Sequence, residues 1–502
     1  MELAFQKHTA DHLQKRIHQV ISQEETAEAI VPDSMPDMGR IVGCWGVPVV
    51  RSKELRAGSM QASGGVNAWV LYVPEDDPSP RQISVYLPFT LRWELPGTDT
   101  DGEMRISCRL KSMDARMLNS RKLLVRANLS GMGEAYFPVQ TELSVLEAPP
   151  QELEVLQQTL PLLLPSELTE KSFLLDEELE LPGSTPAVSQ IIAYQLQPGL
   201  SDARVMGEKA VFKGTCSLHL LYQTPENRLA VWDFEVPYSQ FTELGRTYDQ
   251  EEELQPELLI TGLEVTADEE GRRIRLKCSL AAQCLVLCHQ NITIIQDLYS
   301  LRQSVTPKQQ ALPIRTRLDR QILRDQAEAT FPIGAGNLVD GTALPDYPKA
   351  HREGEAVVLE TPVWCSLLYY DETGALQGRT AQSAASSRIA LTEDCQCQAS
   401  SRMAGPVQWS MGGGEAALRV PLETTADSYA QRELETIQAA DLGEPVKPDP
   451  NRPSLILRTL DTPAPLWELA KASGSTLDAI RKANHLEPTA MEAEGLLLIP
   501  VL

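Results

Sequence analysis

Two groups of cysteines carry side chains that could bind a metal ion. Cys284 and Cys288 are four residues apart and are followed by His289, whereas Cys395 and Cys397 form a C-x-C pair. A structural zinc site needs four thiolate or imidazole ligands, usually supplied as two closely spaced pairs. Neither group is repeated as a second pair with histidines at zinc-finger spacing. The sequence therefore predicts no metal site and no cofactor.

Residues that could perform catalysis are scattered rather than grouped. The sequence contains no G-x-x-x-x-G-K-[ST] for phosphates, no H-E-x-x-H for zinc and no G-x-S-x-G for a serine nucleophile. Three histidines are predicted to be solvated on a polar N-terminal helix: His8, His12 and His18. His219 is expected on the outward phase of its strand, and "MGGGE" at 411–415 is typical of a hairpin turn. We therefore expect that the protein is not an enzyme.

Composition and charge narrow the class of protein further. The chain has 502 residues, enough for three or four domains, and 42% of them are apolar, which is enough for real cores. Its net charge of −24 disfavours both nucleic acid and anionic membrane surfaces as partners. The start of the chain has no apolar core of a secretory signal, and no apolar run approaches the ~20 residues of a membrane span. Nine cysteines, an odd number, then favour reduced thiols in a cytosol.

Landmarks recur along the chain at an interval of about 150 residues, which indicates internal repeats. Pro32 in "VPDSMPDMGRIV" corresponds to Pro182 in "LPGSTPAVSQII", and Pro332 in "FPIGAGNLV" is a weaker third match. Strand-like segments that end in tyrosine recur at the same interval: Tyr72, Tyr222 and Tyr370. A third landmark follows in the same order: "RKLLVRANLS", "RRIRLKCSLA" and "EAALRVPLET". Three landmarks in one order predict three repeats.

Each repeat has the alternating pattern of β-strands. In "RRIRLKCSL", Ile274, Leu276 and Cys278 alternate with charged residues, which predicts a strand with one buried face. "MRISCRLK" and "RKLLVRANLS" are predicted to form a hairpin, joined by the polar connection "KSMDARMLNS". A helix is expected before each sheet, as in "TADHLQKRIHQVISQEE". The fold class is thus mainly β, with three sandwich- or barrel-like repeats in an elongated molecule that has modest interdomain contacts.

The repeats resemble the SPOCS domain, a module of spore-coat-associated proteins from endospore-forming bacteria. The resemblance rests on the Pro-x-x-x-Pro segment before an apolar pair, the strand ending in Leu-Tyr, and the hairpin strand that begins with "RK" or "RR". It implies SPOCS-like β domains at residues 1–156, including the N-terminal helix, at 157–308 and at 309–442. Repeat three lacks the second proline and is the most divergent.

The tail of the chain is predicted to be a separate small module. Residues 443–453 are rich in proline and are expected to form a semi-rigid linker. Residues 454–502 then predict the order strand, helix, helix, strand, an α+β arrangement. Gly474 is expected to end the first helix and Ser475 to cap the second.

This tail resembles the LysM module, which is best known for binding N-acetylglucosamine polymers. The matching residues are Leu466, Trp467, Leu469, Ala470, Leu477, Ile480, Asn484, Leu486, Ile499 and Pro500. The two loops that contact sugar in LysM modules depart from the family pattern, because Thr462-Pro463-Ala464-Pro465 replaces Gly-Asp-Thr and Ala493-Glu494-Gly495 replaces Pro-Gly-Gln. Pro463 and Pro465 of the first loop remove backbone donors that a polar sugar needs, and both changes weaken the case for peptidoglycan.

A protein contact is therefore favoured over a sugar at these loops. The candidate partner- or glycan-binding residues are Thr462, Pro463, Pro465, Leu466, Trp467, Asn484, Pro488, Met491 and Gly495. Trp467 has an alternative interpretation, since it could simply cover the small core of the module.

Three SPOCS-like repeats followed by one LysM module resemble the layout of SipL-type spore coat morphogenetic proteins. The resemblance implies a non-enzymatic assembly scaffold in the mother-cell cytoplasm, associated with the forespore and spore coat surface. It also implies a partner, the morphogenetic ATPase of the coat's basement layer, with the LysM module as the docking element. The alternative is a protein that binds peptidoglycan glycan chains of the spore cortex or cell wall through the same module.

Overall fold

The fold is built almost entirely from antiparallel strands. The structure is a computed structural model that describes residues 5–97, 99–146, 153–391, 395–446 and 451–502. Strands hold 78% of the described residues and helices 3%, so the predicted mainly-β class is confirmed.

Repeat one consists of two sheets packed face to face. Its strands are β1 (Gln6–Ile30), β2 (Met38–Arg56), β3 (Ser59–Pro74), β4 (Arg81–Glu94), β5 (Glu103–Asn119) and β6 (Lys122–Val145). One sheet has the order β1-β6-β5 and the other the order β2-β3-β4. Alternate residues of both sheets, such as Val66 and Leu87 on one and Ile106 and Leu129 on the other, fill a common core.

Repeat two follows the same plan. Its strands are β7 (Leu153–Glu180), β8 (Gln190–Gln223), β9 (Leu229–Tyr248), β10 (Glu253–Ala267) and β11 (Arg273–Ser300). The sheet of order β10-β11-β7 corresponds to β5-β6-β1 of repeat one. The long strand β8 takes the place of β2 and β3. It turns at Gly207, whose φ is +64°, and this turn brings Gly214 against the carbonyl of Gly199.

Repeat three keeps this order with more interruptions. Its strands are β12 (Gln303–Pro332), β13 (Asn337–Pro345), β14 (Lys349–Glu353), β15 (Ala356–Tyr370), β16 (Leu376–Ala390), β17 (Cys395–Met403), β18 (Gln408–Gly412) and β19 (Glu415–Pro445). The first and last strands, β12 and β19, pair along their length, as β1 and β6 do. The domain limits predicted at 156/157, 308/309 and 442/443 therefore fall inside β7, β12 and β19.

The tail consists of β20 (Leu455–Pro465), α1 (Leu466–Ser473), α2 (Leu477–Ala483) and β21 (Glu492–Pro500). The strand, helix, helix, strand order is as predicted. Of the predicted linker, residues 443–445 belong to β19, and residues 447–450 lie outside the described part of the chain.

The N-terminal helix predicted for repeat one is wrong. Residues 6–30 form strand β1, which pairs with β6 from Gln6 opposite Val145 to Ile30 opposite Lys122. Leu13, Ile17 and Val20 have helical spacing, but pairing along the whole of β6 outweighs that weak local preference. His18 is not solvated as predicted, because it lies against a buried carboxylate described below.

The polar connection predicted in the hairpin of repeat one is also wrong. Strand β5 continues through it to Asn119 and turns directly into β6. Met113, Ala115 and Met117 alternate with polar residues, and the side chain of Met113 is buried. The period-two pattern of a strand was therefore present within a segment whose composition looked like a loop.

The three sequence landmarks meet at one turn in repeats one and two. In repeat two, Arg272 donates hydrogen bonds to the carbonyls of Leu181 (3.2 Å) and Pro182 (2.7 Å), and Tyr222 donates to the carbonyl of Pro186 (3.1 Å). Arg121, Tyr72 and the segment from Val31 to Pro36 make the same contacts in repeat one. We call this arrangement the arginine clamp. It explains why these particular residues recur.

Repeat three has lost the arginine clamp but keeps the turn. Gly414 occupies the position of the arginine and Gly336 that of the second proline, and the backbone nitrogens of Ile333 and Gly334 donate to the Gly414 carbonyl at 3.0 and 2.9 Å. Gly334 and Gly414 have φ values of +61° and +81°, which favour glycine.

The repeats pack closely on one another, so the predicted elongated molecule with modest contacts is wrong. Trp69 of repeat one lies 4.2 Å from the Tyr194 ring of repeat two, within a core that both repeats share. Ser107 of repeat one hydrogen-bonds the Tyr347 hydroxyl of repeat three at 2.5 Å. Arg317 of repeat three pairs with Glu253 of repeat two. Each repeat thus contacts both of the others.

A buried ionic network lies at the junction of the three repeats. Glu134 accepts from Lys15 (2.7 Å), His18 (2.9 Å) and the Tyr136 hydroxyl (2.9 Å) within repeat one. Lys15 also donates to Gln398 of repeat three, at 3.2 Å. Burial alone would raise the pKa of Glu134, but its cationic neighbours hold that pKa well below its usual range.

Candidate functional site

The core of the tail module is formed by one face of each of its elements. Leu466 and Trp467 of α1, Ile480 of α2 and Ile499 of β21 are almost fully buried together. Gly474 ends α1 in the left-handed conformation, as predicted. The cap of α2 is Thr476 rather than the predicted Ser475, because the Thr476 hydroxyl accepts from the Ala479 nitrogen at 3.1 Å.

Asn484 fixes α2 to β21. Its side-chain nitrogen donates to the carbonyls of Ile480 (2.7 Å) and Leu498 (2.6 Å), and its oxygen accepts from the Leu498 nitrogen at 2.7 Å. The amide group therefore satisfies backbone groups at a helix end and on a strand at once. The predicted binding residue Asn484 has a structural role in the described structure.

Helix α1 attaches the module to repeat two. The indole nitrogen of Trp467 donates to Asp297 at 2.7 Å, and the ammonium of Lys471 lies 2.6 Å from the same carboxylate. The ring of Tyr299 meets that of Trp467 edge-on at 4.9 Å, and its hydroxyl donates to the Ser475 carbonyl at 2.8 Å. We call these five residues the docking contact. Burial in this contact raises the pKa of Tyr299.

Leu466 and Trp467 are therefore unavailable to an outside partner in this conformation. Leu466 has no exposed surface and Trp467 is 2% exposed. The alternative interpretation of Trp467, that it covers the core, agrees with its burial, although the same ring also contacts the body of the protein. Sequence reasoning missed Asp297 and Tyr299 entirely. Within the tail, one feature of the sequence pointed to this contact: Lys471 lies four residues after Trp467 and therefore on the same face of α1.

The other predicted residues lie at the end of β20, in the segment before β21 and in β21 itself, rather than on two loops, and these segments lie side by side. The Leu466 nitrogen donates to the Met491 carbonyl at 2.8 Å, and Pro465 is opposite Glu492 in the sheet. The remaining candidates are exposed: Thr462, Pro463, Pro465, Pro488, Met491 and Gly495. We call these six residues the loop surface. The Arg481 guanidinium stabilises the segment next to Met491 by donating two hydrogen bonds to the Ala490 carbonyl, at 2.9 and 2.7 Å.

The loop surface is poor in groups that recognise sugars. Its prolines have no N–H to donate, and Thr462 supplies the only side-chain hydroxyl among its six residues. Met491 is 46% exposed and offers a flexible apolar contact. The arrangement therefore suits an apolar partner surface better than a ring of sugar hydroxyls.

The remaining residues singled out in the sequence are cysteines and histidines. Within the described ranges, no group of three or more histidine, cysteine or carboxylate side chains is placed to hold a metal ion. Burial raises the pKa of the Cys284 thiol to about 12, which makes it unreactive.

His219 points out of its own repeat, as predicted, and meets Asp233 (2.6 Å) and Asp340 of repeat three (3.0 Å).

Comparison of the chain with family models, with curated proteins and with solved structures gave no match. Among the described residues, neither of the short helices is long and apolar enough to cross a membrane.

Proposed function

We propose that this protein is a non-enzymatic scaffold for spore coat assembly, of the SipL type, and that the tail module is its docking element for a protein partner. The partner implied by the resemblance is the morphogenetic ATPase of the coat's basement layer. The proposed location is the mother-cell cytoplasm at the surface of the forespore.

The observation that carries the proposal is the way the tail module is held. The docking contact uses α1 to fix the module on repeat two, while the loop surface stays exposed. A binding surface presented by a rigid support loses little entropy when a partner binds. The three repeats supply that support, because their cores are shared and their junction is ionic and buried.

Binding of the purified full-length chain to the ATPase tests this proposal. Met491→Glu places a charge on the loop surface and is expected to weaken binding at least tenfold, or about 1.4 kcal/mol. Met206→Glu is the matched control, because Met206 is exposed to a similar extent, 48% against 46%, on repeat two. Equal affinity of the wild type and Met491→Glu, or no binding by the wild type, would contradict the proposal.

Calorimetry of the same chain with chitooligosaccharides or muropeptides tests the alternative. The proposal expects no heat of binding, because the loop surface has few hydrogen-bond donors. Saturable sugar binding that Met491→Glu abolishes would instead assign the loop surface to peptidoglycan.

A further inference from the structure

The side of β11 that meets the tail carries an acidic and an aromatic residue at alternate positions. Asp297 and Tyr299 are two residues apart and therefore lie on the same side of the strand. Leu301 follows the end of β11 and packs on the same apolar cluster as Tyr299. On the neighbouring strand β7, Leu156 is opposite Asp297 and Glu154 is opposite Tyr299, so both share this side. Repeat two thus presents an extended segment with the order carboxylate, aromatic ring, leucine.

The tail meets this segment with complementary groups. Trp467 and Lys471 both donate to the Asp297 carboxylate, at 2.7 and 2.6 Å. The Ser475 carbonyl accepts from the Tyr299 hydroxyl, while the Trp467 ring packs edge-on against the Tyr299 ring. Hydrogen bonds from an indole and an ammonium to a carboxylate are stronger than bonds between neutral groups. The tail therefore has the groups that recognise a carboxylate next to an aromatic ring, and repeat two occupies them.

The tail is joined to repeat two without a shared backbone ladder. Its sheet consists of its own two strands, β20 and β21. Leu466, Ile480 and Ile499 fill a core between its own helices and that sheet. The docking contact is made by side chains of β11 and by one backbone carbonyl of the tail. The tail can therefore leave repeat two without the loss of a strand pair.

The contact with repeat two also includes a group that opposes it. Glu154 is partly buried next to the beginning of α2. Burial and the neighbouring Asp478 raise the pKa of Glu154, and the Leu477 nitrogen and Arg481 offset this only in part. The charged form of Glu154 is thus disfavoured when the tail is docked. A segment of another protein that offers the carboxylate and the ring without Glu154 does not carry this cost.

We propose that the docking contact is a releasable latch, in which β11 is an internal ligand and the exposed face of a released α1 is a second binding surface. The ligand of that surface is an extended protein segment with a carboxylate and an aromatic ring two residues apart. Such a segment competes with Asp297 and Tyr299 for α1 and shifts the tail from the docked to the released state. Because the loop surface is a different part of the tail, this inference goes beyond the docking function proposed above.

Fluorescence anisotropy of a labelled peptide with the sequence of residues 295–303, "IQDLYSLRQ", tests the latch on the full chain. The wild type is expected to bind the peptide weakly, because repeat two occupies the site. Asp297→Ala in the chain empties the site and is expected to strengthen peptide binding at least tenfold. Asp176→Ala is the matched control, because Asp176 is also ion-paired on repeat two and is 34% exposed against 25% for Asp297. It is expected to bind the peptide as weakly as the wild type.

Two further variants test the chemistry of the site. The same peptide with Asp297→Asn is expected to bind the Asp297→Ala chain at least tenfold more weakly than the native peptide, because it has lost the carboxylate. Trp467→Phe keeps a ring but removes the indole N–H, and it is expected to cancel the gain when it is combined with Asp297→Ala in the chain. Tyr299→Phe, which removes the hydroxyl that binds Ser475, replaces Asp297→Ala if circular dichroism shows that the latter is unfolded.

Three results would overturn the inference: equal binding of the native peptide by the wild type and by the released variant, equal binding of the two peptides, or a gain that survives Trp467→Phe. Met491→Glu is expected to leave peptide binding unchanged, because Met491 lies on the loop surface. The same variant is expected to weaken binding of the ATPase. A failure of the docking function and a failure of the latch are therefore distinguishable.

Discussion

Glu134 is the residue on which the ionic junction depends. Glu134→Gln leaves Lys15 buried without its carboxylate and leaves Arg105 with Glu257 alone, and an uncompensated buried charge costs about 3 kcal/mol of unfolding free energy. Denaturant unfolding measures this loss. Glu142→Gln on the same strand is the control, because Glu142 is 56% exposed in its pair with Lys7, and we expect a change below about 0.5 kcal/mol. Equal effects of both variants would contradict the role given to Glu134.

His219 makes the contact between repeats two and three dependent on pH. Burial opposes its charge, but Asp340 and Asp233 outweigh burial and raise the pKa of His219 to about 10. Because this pKa is raised on folding, the stabilisation is complete below the unfolded value of about 6.5 and is lost as pH rises through about 10.

Unfolding of His219→Gln and the wild type across this pH range tests the dependence. We expect the variant to lose on the order of 2 kcal/mol at pH 6, and the difference to disappear above the pKa of about 10. His289→Gln, which changes a histidine with a side chain that is 65% exposed, is expected to change little. A difference that stays constant with pH would show that the imidazolium is not the stabilising species.

At the scale of elements, Asp297 controls the attachment of α1. Asp297→Ala leaves the Trp467 indole without its acceptor and Lys471 without its ion pair, which is expected to cost about 1–3 kcal/mol. Hydrogen–deuterium exchange of the α1 amides is expected to rise about tenfold, while that of β11 stays unchanged. Asp478→Asn is the control, since that carboxylate is 78% exposed and 3.8 Å from Arg481. Unchanged exchange in α1 would contradict the role of the docking contact.

Elements with a strong local pattern could be predicted from the sequence. The alternation of Ile274, Leu276 and Cys278 reflects a strand with one buried face, and Gly474 marks a helix end that only glycine adopts easily. Strand β1 could not be predicted in this way, because its partner β6 begins more than ninety residues later. The docking contact could not be predicted from the sequence for the same reason, since Asp297 and Trp467 are 170 residues apart.

At the scale of the whole molecule, the shared cores predict that the three repeats unfold together. Trp69→Ala removes a ring that packs on Tyr194 across the contact of repeats one and two, and such truncations cost about 3–5 kcal/mol. Calorimetry is expected to show one transition for the repeats that moves as a unit to lower temperature. Separate transitions, with only one of them shifted, would show that the repeats are independent. The exposed Tyr86→Ala in repeat one is the control and is expected to shift the transition much less.

Packing between repeats was the part of the structure that could least be predicted from the sequence. Tandem landmarks describe what each repeat has in common, whereas the contacts between repeats use residues that differ among them. Gln398 meets Lys15, and Tyr347 meets Ser107, without any counterpart at equivalent positions that a periodic pattern could reveal. The shape of the molecule is therefore determined by the positions at which the repeats are least alike.

Repeat three shows that the turn forms without the arginine clamp. Gly336 and Gly414 replace a proline and an arginine, yet the turn closes through backbone hydrogen bonds and every flanking strand persists. One repeat can therefore lack the signature and still have the same architecture. In a chain with glycines at all three turns, the strands that end in tyrosine would be the repeated landmark that remains.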